Sequence, residues 1–130
     1  MTKPIKLAIL IDDEEIDQRQ YNRILKKSGM VGEVLTFTYA DDALEYLKSH
    51  PGLCVDVIFL DINMPRMNGF EFLEAATAEF GDTFAKIVVA MLTTSLNPDD
   101  RARAEGFDVV RDFINKPLTV EHVVSISALL

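Results

Sequence analysis

Asp12, Asp13, Asp61, Thr93 and Lys116 are the residues whose types and positions suit them to chemistry. Asp12-Asp13 follows the apolar run Ile5 to Ile11, and Asp61 follows Val55 to Leu60. Thr93 follows Lys86 to Leu92, and Lys116 comes just after Val109 to Ile114. A lone aspartate at a strand end is an ordinary turn former or cap. Three carboxylates in one crevice are different, because a like-charged pair about 4 Å apart costs about 4 kcal/mol at an effective dielectric of about 20. Such a group persists only if a cation neutralises it or one acid keeps a proton. The donors are hard oxygens with no His or Cys close in sequence, which selects Mg2+ or Mn2+ over zinc. Mg2+ shares phosphate oxygens, a lysine pairs with a phosphate as a point charge, and a threonine hydroxyl can donate to another oxygen. The set suits the transfer of a phosphoryl group onto a carboxylate.

For these residues to meet, the runs that precede them must be strands of one sheet. The run ending at Asp61 is short, apolar and rich in β-branched residues, as a strand buried on both faces should be. Pro65 stops it from continuing. Between strands, Ile16, Tyr21, Ile24 and Leu25 recur at helical spacing until Ser28-Gly29, and Glu14-Glu15 suits that helix's N-terminus. Glu33 to Thr38 reads as a shorter, more polar edge strand. The next helix opens at Ala40, with Asp42 and Glu45 at capping-box spacing, and ends at His50-Pro51-Gly52. Asn68 and Glu71 repeat that spacing before a helix with inner face Phe70, Leu73, Ala76, Thr77 and Phe80. Asn97-Pro98 starts a polar helix that runs to Glu105 and should lie loosely on the sheet. Thr119 caps a last helix whose inner face is Val120, Val123, Val124, Ser127 and Leu130. This alternation predicts an α/β fold with a parallel sheet covered on both faces. Right-handed crossovers then bring the ends of strands one, three, four and five to one edge.

The 130 residues, 48% hydrophobic, suit one domain over 1–130. A net charge of −8 disfavours nucleic acid and anionic membranes as partners. The longest apolar run, Leu7 to Ile11, is too short to span a bilayer, and no signal peptide precedes the first strand. Cys54 cannot form an internal disulfide. Its apolar neighbours predict a buried thiol and a reducing, cytoplasmic location. His50 and His122 lack a second ligand nearby, and Arg101, Arg103 and Lys26-Lys27 read as solvated faces.

Over essentially its whole length the chain resembles the receiver domains of bacterial two-component response regulators. The matching motifs are Asp12-Asp13, Leu60-Asp61-Ile62-Asn63-Met64-Pro65-Arg66-Met67-Asn68-Gly69, Leu92-Thr93-Thr94-Ser95 and Phe113-Ile114-Asn115-Lys116-Pro117-Leu118. The Leu-Thr-Thr-Ser and Asp-Ile-Asn-Met-Pro segments look most like the small stand-alone regulators found beside bacteriophytochrome-type histidine kinases. The resemblance implies a flavodoxin-like (βα)5 three-layer sandwich with strand order 2-1-3-4-5. It implies Asp61 as phosphoacceptor, Asp13, Asp61 and the Asn63 backbone carbonyl as the ligands of Mg2+, and Asp12 helping through water. Thr93 and Lys116 would bind the phosphoryl group, and Thr93 and Phe113 would form the switch. The Lys116-Pro117 bond would be cis. The implied partners are a sensor histidine kinase or histidine phosphotransferase and a downstream protein that reads the fourth helix, fifth strand and fifth helix, the chain being a monomer or weak homodimer. Such a domain is a phosphoacceptor switch rather than an enzyme, and could be a single-domain regulator or one domain of a longer protein. The chain departs from the family pattern at Asn68, where Asp is common, and in a Thr93–Lys116 segment about one residue longer than in the chemotaxis type. Thr93 is chosen over Thr94 because it directly follows its strand.

Three other classes fit less well. A phosphohydrolase with an Asp nucleophile needs a second acid two residues on, where this chain has Asn63. A flavodoxin-like cofactor binder needs a Gly/Ser/Thr-rich loop after strand one, where Asp12-Asp13-Glu14-Glu15 would repel a phosphate. A receiver-like module that is never phosphorylated would not need the full set of site residues, all of which are here.

Overall fold

The apolar runs pair as five parallel strands: β1 (Ile5–Ile11), β2 (Val31–Phe37), β3 (Val57–Asp61), β4 (Val88–Thr93) and β5 (Val110–Asn115), in the order β2-β1-β3-β4-β5. The structure, a computed structural model, describes residues 4–130. The helices are α1 (Glu15–Lys27), α2 (Ala40–Ser49), α3 (Gly69–Phe80), the single turn α4 (Asp82–Ala85), α5 (Pro98–Glu105) and α6 (Val120–Ser127). β3 and β4 are buried along their whole length, which is why they read as unbroken apolar runs rather than alternating ones.

The two faces of the sheet build two cores. Leu7, Ile9 and Ile11 of β1 join Ile58, Leu60, Val89 and Met91 beneath α2, α3, α4 and Ala104 of α5. Ala8 and Leu10 join Val57, Phe59, Ala90 and Leu92 against Tyr21 and Leu25 of α1 and Val123 and Ile126 of α6. Neighbouring strands pair Ile11 with Leu60, Asp61 with Leu92, and Thr93 with Asn115. The residues that end these strands or follow them directly are therefore side by side on one edge.

Several local expectations are corrected. β2 is as long as β1 and begins at Val31, because Gly32 lets the chain pass close to β1. A Cβ there would stand 2.9 Å from the Lys6 carbonyl oxygen. Asp42 and Glu45 form no capping box: Tyr39 is the N-cap of α2 and provides no side-chain cap, and Asp41 and Asp42 instead pair with Arg66. Asn68, Asn97 and Thr119 do cap their helices. α4 was not anticipated; it seats Phe84 edge-on to Phe72, with ring centroids 6.2 Å apart. Thr77 faces solvent and Phe72 takes a place in the core. On α6 the inner face is Val123 and Ile126, while Val124 and Leu130 are exposed. Ile16 is 77% exposed despite its helical spacing. Cys54 is exposed, because it lies in the loop before β3 rather than in the strand. The polar α5 buries only Ala104 and sets Arg101 over Phe113 and Arg103 over Phe70.

β5 is irregular near its start. Its register passes from Val89–Val110 to Ala90–Asp112, so Arg111 is a bulge. The bulge absorbs one residue, so Thr93 stands beside Asn115 and its carbonyl accepts from the Lys116 N–H at 2.8 Å.

Candidate functional site

Asp12 sits where β1 gives way to α1 and is held from several sides. Its N–H donates to the Phe37 carbonyl at 3.1 Å, and its Oδ1 accepts the Glu14 N–H at 2.9 Å. The Gln18 side chain donates to the Asp12 carbonyl at 2.6 Å and to Thr38 Oγ1 at 3.1 Å, which ties α1 to the ends of β1 and β2. Asp61 ends β3, and the chain turns back at once: Ile62 N–H donates to Leu92 and Gly69 N–H donates to Ile62. Gly69 is needed at this return. A Cβ there would lie 2.7 Å from the Asp61 carbonyl oxygen and 3.1 Å from Ile62 Cα. The loop between them is tied down at Arg66, whose φ is +71°, by its ion pairs to Asp41 and Asp42 and its place over the Tyr39 ring.

Asp12, Asp13 and Asp61 each offer an oxygen, all within 4.8 Å of one another. Lys116 Nζ lies 2.9 Å from Asp12 Oδ2, 2.9 Å from Asp17 Oδ2 and 3.6 Å from Asp61 Oδ1. A cleft of about 490 Å³ opens over the group, lined by Asp13, Glu14, Ile16, Asp17, Asp61, Asn63, Thr94 and Lys116. Burial pushes the Asp61 carboxyl up to about 7; Lys116 opposes this, and Asp12 and Asp13 reinforce it. Burial also raises Asp12, against the Glu14 N–H and Lys116. For Lys116, burial works downward, but its hydrogen bonds to Asp12 and Asp17 outweigh it and hold the ammonium above the ordinary lysine range. Three hard-oxygen donors close enough to share one ion, two of them driven toward protonation by burial, fit a small divalent cation such as Mg2+.

Asp12, Asp13, Asp61 and Lys116 thus meet, and Asn63 lines their cleft. Thr93 is next to them but fully buried, with Oγ1 accepting from the Ser95 N–H at 2.9 Å; Thr94 is the threonine that lines the cleft. Phe113 is half-buried in a neighbouring groove with Ser95, Leu96, Asn97, Pro98, Arg101 and Asn115. Lys116-Pro117 is cis. Sequence reasoning missed Asp17 and Gln18. The available signal was their place one turn beyond Asp13, on the helix face that turns back to the strand end. Among the described residues, no helix is long and apolar enough to cross a membrane.

The response regulator receiver domain profile matches residues 8–127. An uncharacterized response regulatory protein of Vibrio cholerae is 32% identical over 117 residues; the match covers 89% of this chain and 44% of that protein, so the chain spans less than half of its relative. A two-component response regulator from Cytophaga hutchinsonii superposes with a TM-score of 0.91 at 31% identity, over 98% of this chain and 97% of that one. The phosphorylated cyanobacterial phytochrome response regulator RcpA superposes with a TM-score of 0.77 at 26% identity, over 96% and 91% of the two chains. The strand order, the acidic edge facing a lysine and these matches lead to one conclusion: the chain belongs to the response regulator receiver domains of two-component systems.

Proposed function

We propose that residues 1–130 form a phosphoacceptor switch in which Asp61 takes the phosphoryl group of a phosphohistidine on a sensor histidine kinase or histidine phosphotransferase. The observation that carries this reading is the buried carboxylate group with Lys116 set against it, open to a cleft wide enough for a phosphoryl group. An Asp61 oxygen attacks phosphorus in line. The P–O bond forms as the P–N bond breaks, and the imidazole leaves with the electron pair. Asp13, Asp61 and the Asn63 backbone carbonyl would hold Mg2+, or Mn2+, with Asp12 helping through water, and the ion would offset the charge gathering on the phosphoryl oxygens. Lys116 pairs with one of those oxygens. Thr93 donates its hydroxyl to another, giving up its present place against the Ser95 N–H. Phe113 follows Thr93 inward, and the face formed by α5, β5 and α6 changes for a downstream protein. The domain acts in the cytoplasm as a monomer or weak homodimer, on neither nucleic acid nor membrane. It catalyses only its own phosphorylation and slow hydrolysis.

Incubation with acetyl phosphate and Mg2+, followed by intact-mass measurement, tests the reading. The wild type should gain one phosphoryl group and Asp61→Ala none. Equal labelling of the two proteins would overturn it.

A further inference from the structure

Lys116 is the only cation among the site residues, yet its shortest contacts are not with Asp61. Nζ is 2.9 Å from both Asp12 and Asp17 and 3.6 Å from Asp61. Asp17 comes from α1, the helix that its neighbour Gln18 ties through its side-chain amide to the Asp12 carbonyl and Thr38. One turn further along α1, the Tyr21 ring lies 5.9 Å from Nζ. Asp17 and Tyr21 thus meet the same ammonium from one helix face. The Lys116 side chain is only 10% exposed and Asp17 25%, so water screens their pairing less than it would on the surface.

We propose that Asp17 is a positioning residue that holds Lys116 back from Asp61 until a phosphoryl group arrives. This rests on the phosphoacceptor reading above. A phosphoryl group on Asp61 must recruit the ammonium that Asp17 now shares, so the Asp17–Lys116 pair opposes the phosphorylated state. The same pair keeps the cation away from the Asp61 oxygen that a divalent ion needs. Removing the Asp17 charge therefore has opposite effects on the two ligands. Lys116 becomes free to pair with an anion at Asp61, and it also competes better with a cation there.

The test measures Mg2+ binding to the full chain by calorimetry, then binding of beryllofluoride, a phosphoryl mimic, at saturating Mg2+. Asp17→Asn should bind beryllofluoride at least about 5-fold more tightly and Mg2+ about 2- to 5-fold more weakly than wild type. Glu14→Gln removes a charge from the same cleft without touching Lys116, and should leave beryllofluoride affinity within about 2-fold. Asp17→Glu should restore wild-type behaviour in part. Beryllofluoride affinity in Asp17→Asn that is equal to or below wild type would overturn the proposal, as would an equal gain in Glu14→Gln. Failure of the wild type itself to bind beryllofluoride would instead sink the phosphoacceptor reading.

Discussion

At the scale of single residues, the site turns on the competition between burial and charge at Asp61. Burial raises its carboxyl to about 7 from an ordinary 3.8, even with Lys116 nearby. Between those values the folded chain holds a proton that the unfolded chain has lost. This group's contribution to stability is therefore full below about pH 4 and is lost as pH rises through about 7. In chelator, Asp61→Asn should flatten that decline and be the more stable protein at pH 8, by about 1–3 kcal/mol. Urea unfolding at pH 5 and pH 8 checks this, and parallel slopes for the two proteins would reject it. Asp12 is displaced in the same direction by its own burial and should leave a residual slope of the same sign in the variant. The site residues were readable from sequence because acids, a threonine and a lysine stand together at the ends of four strands that share one edge, although each alone would be an ordinary turn former or cap. The contact of Asp17 with Lys116 was not, because Asp17 lies within α1 rather than at a strand end, and only the rotation of that helix turns it toward the site.

At the scale of elements, what matters is how closely the pieces around Asp61 approach. Gly69 starts α3 against the backbone of Asp61 and Ile62, with no room for a methyl group. Gly69→Ala should cost about 2–3 kcal/mol and weaken Mg2+ binding, because the displaced backbone carries Asp61 with it. Gly52→Ala, where nothing lies within 4 Å, should change stability by less than about 0.5 kcal/mol. Chemical denaturation of both variants, with Mg2+ titration of the first, is the measurement; an indifferent Gly69→Ala would show that the loop yields freely. The caps show where local sequence suffices. Asn68, Asn97 and Thr119 each occupy an extended residue just before the first turn, so their side chains reach the exposed N–H groups. Asp42 has the right spacing to Glu45 but lies inside the first turn of α2, behind Tyr39. It is turned instead toward Arg66, 24 residues away.

At the scale of the whole molecule, a net charge of −8 and the acid cluster set the response to ions. A ligand that binds only the folded state adds RT ln(1 + [L]/Kd), about 1.4 kcal/mol at ten times Kd. Mg2+ should therefore raise the melting temperature well beyond an NaCl solution of equal ionic strength, which only screens charge. Asp61→Ala should respond to the two salts alike. Thermal melts in both salts decide this, and identical shifts in the wild type would mean that Mg2+ acts only as general ionic strength. The sheet makes the site possible at this scale. Parallel pairing in the order β2-β1-β3-β4-β5 places the ends of β1, β3 and β4 next to one another, with Lys116 arriving just past β5.

The sequence by itself determined the strand count, the parallel sheet and the meeting of Asp12, Asp13, Asp61 and Lys116 on one edge. Buried strands have a local signature, and crossover handedness leaves little freedom in where their ends go. Only the tertiary structure decided that Lys116 leans on Asp17, that Ile16 and Cys54 face outward, that Thr94 rather than Thr93 lines the cleft, and that Arg111 bulges from β5. Each of these depends on the rotation of a helix about its axis, the setting of a loop or the register of an edge strand. Those settings come from contacts between distant residues, and a local pattern of apolar and polar positions does not encode them.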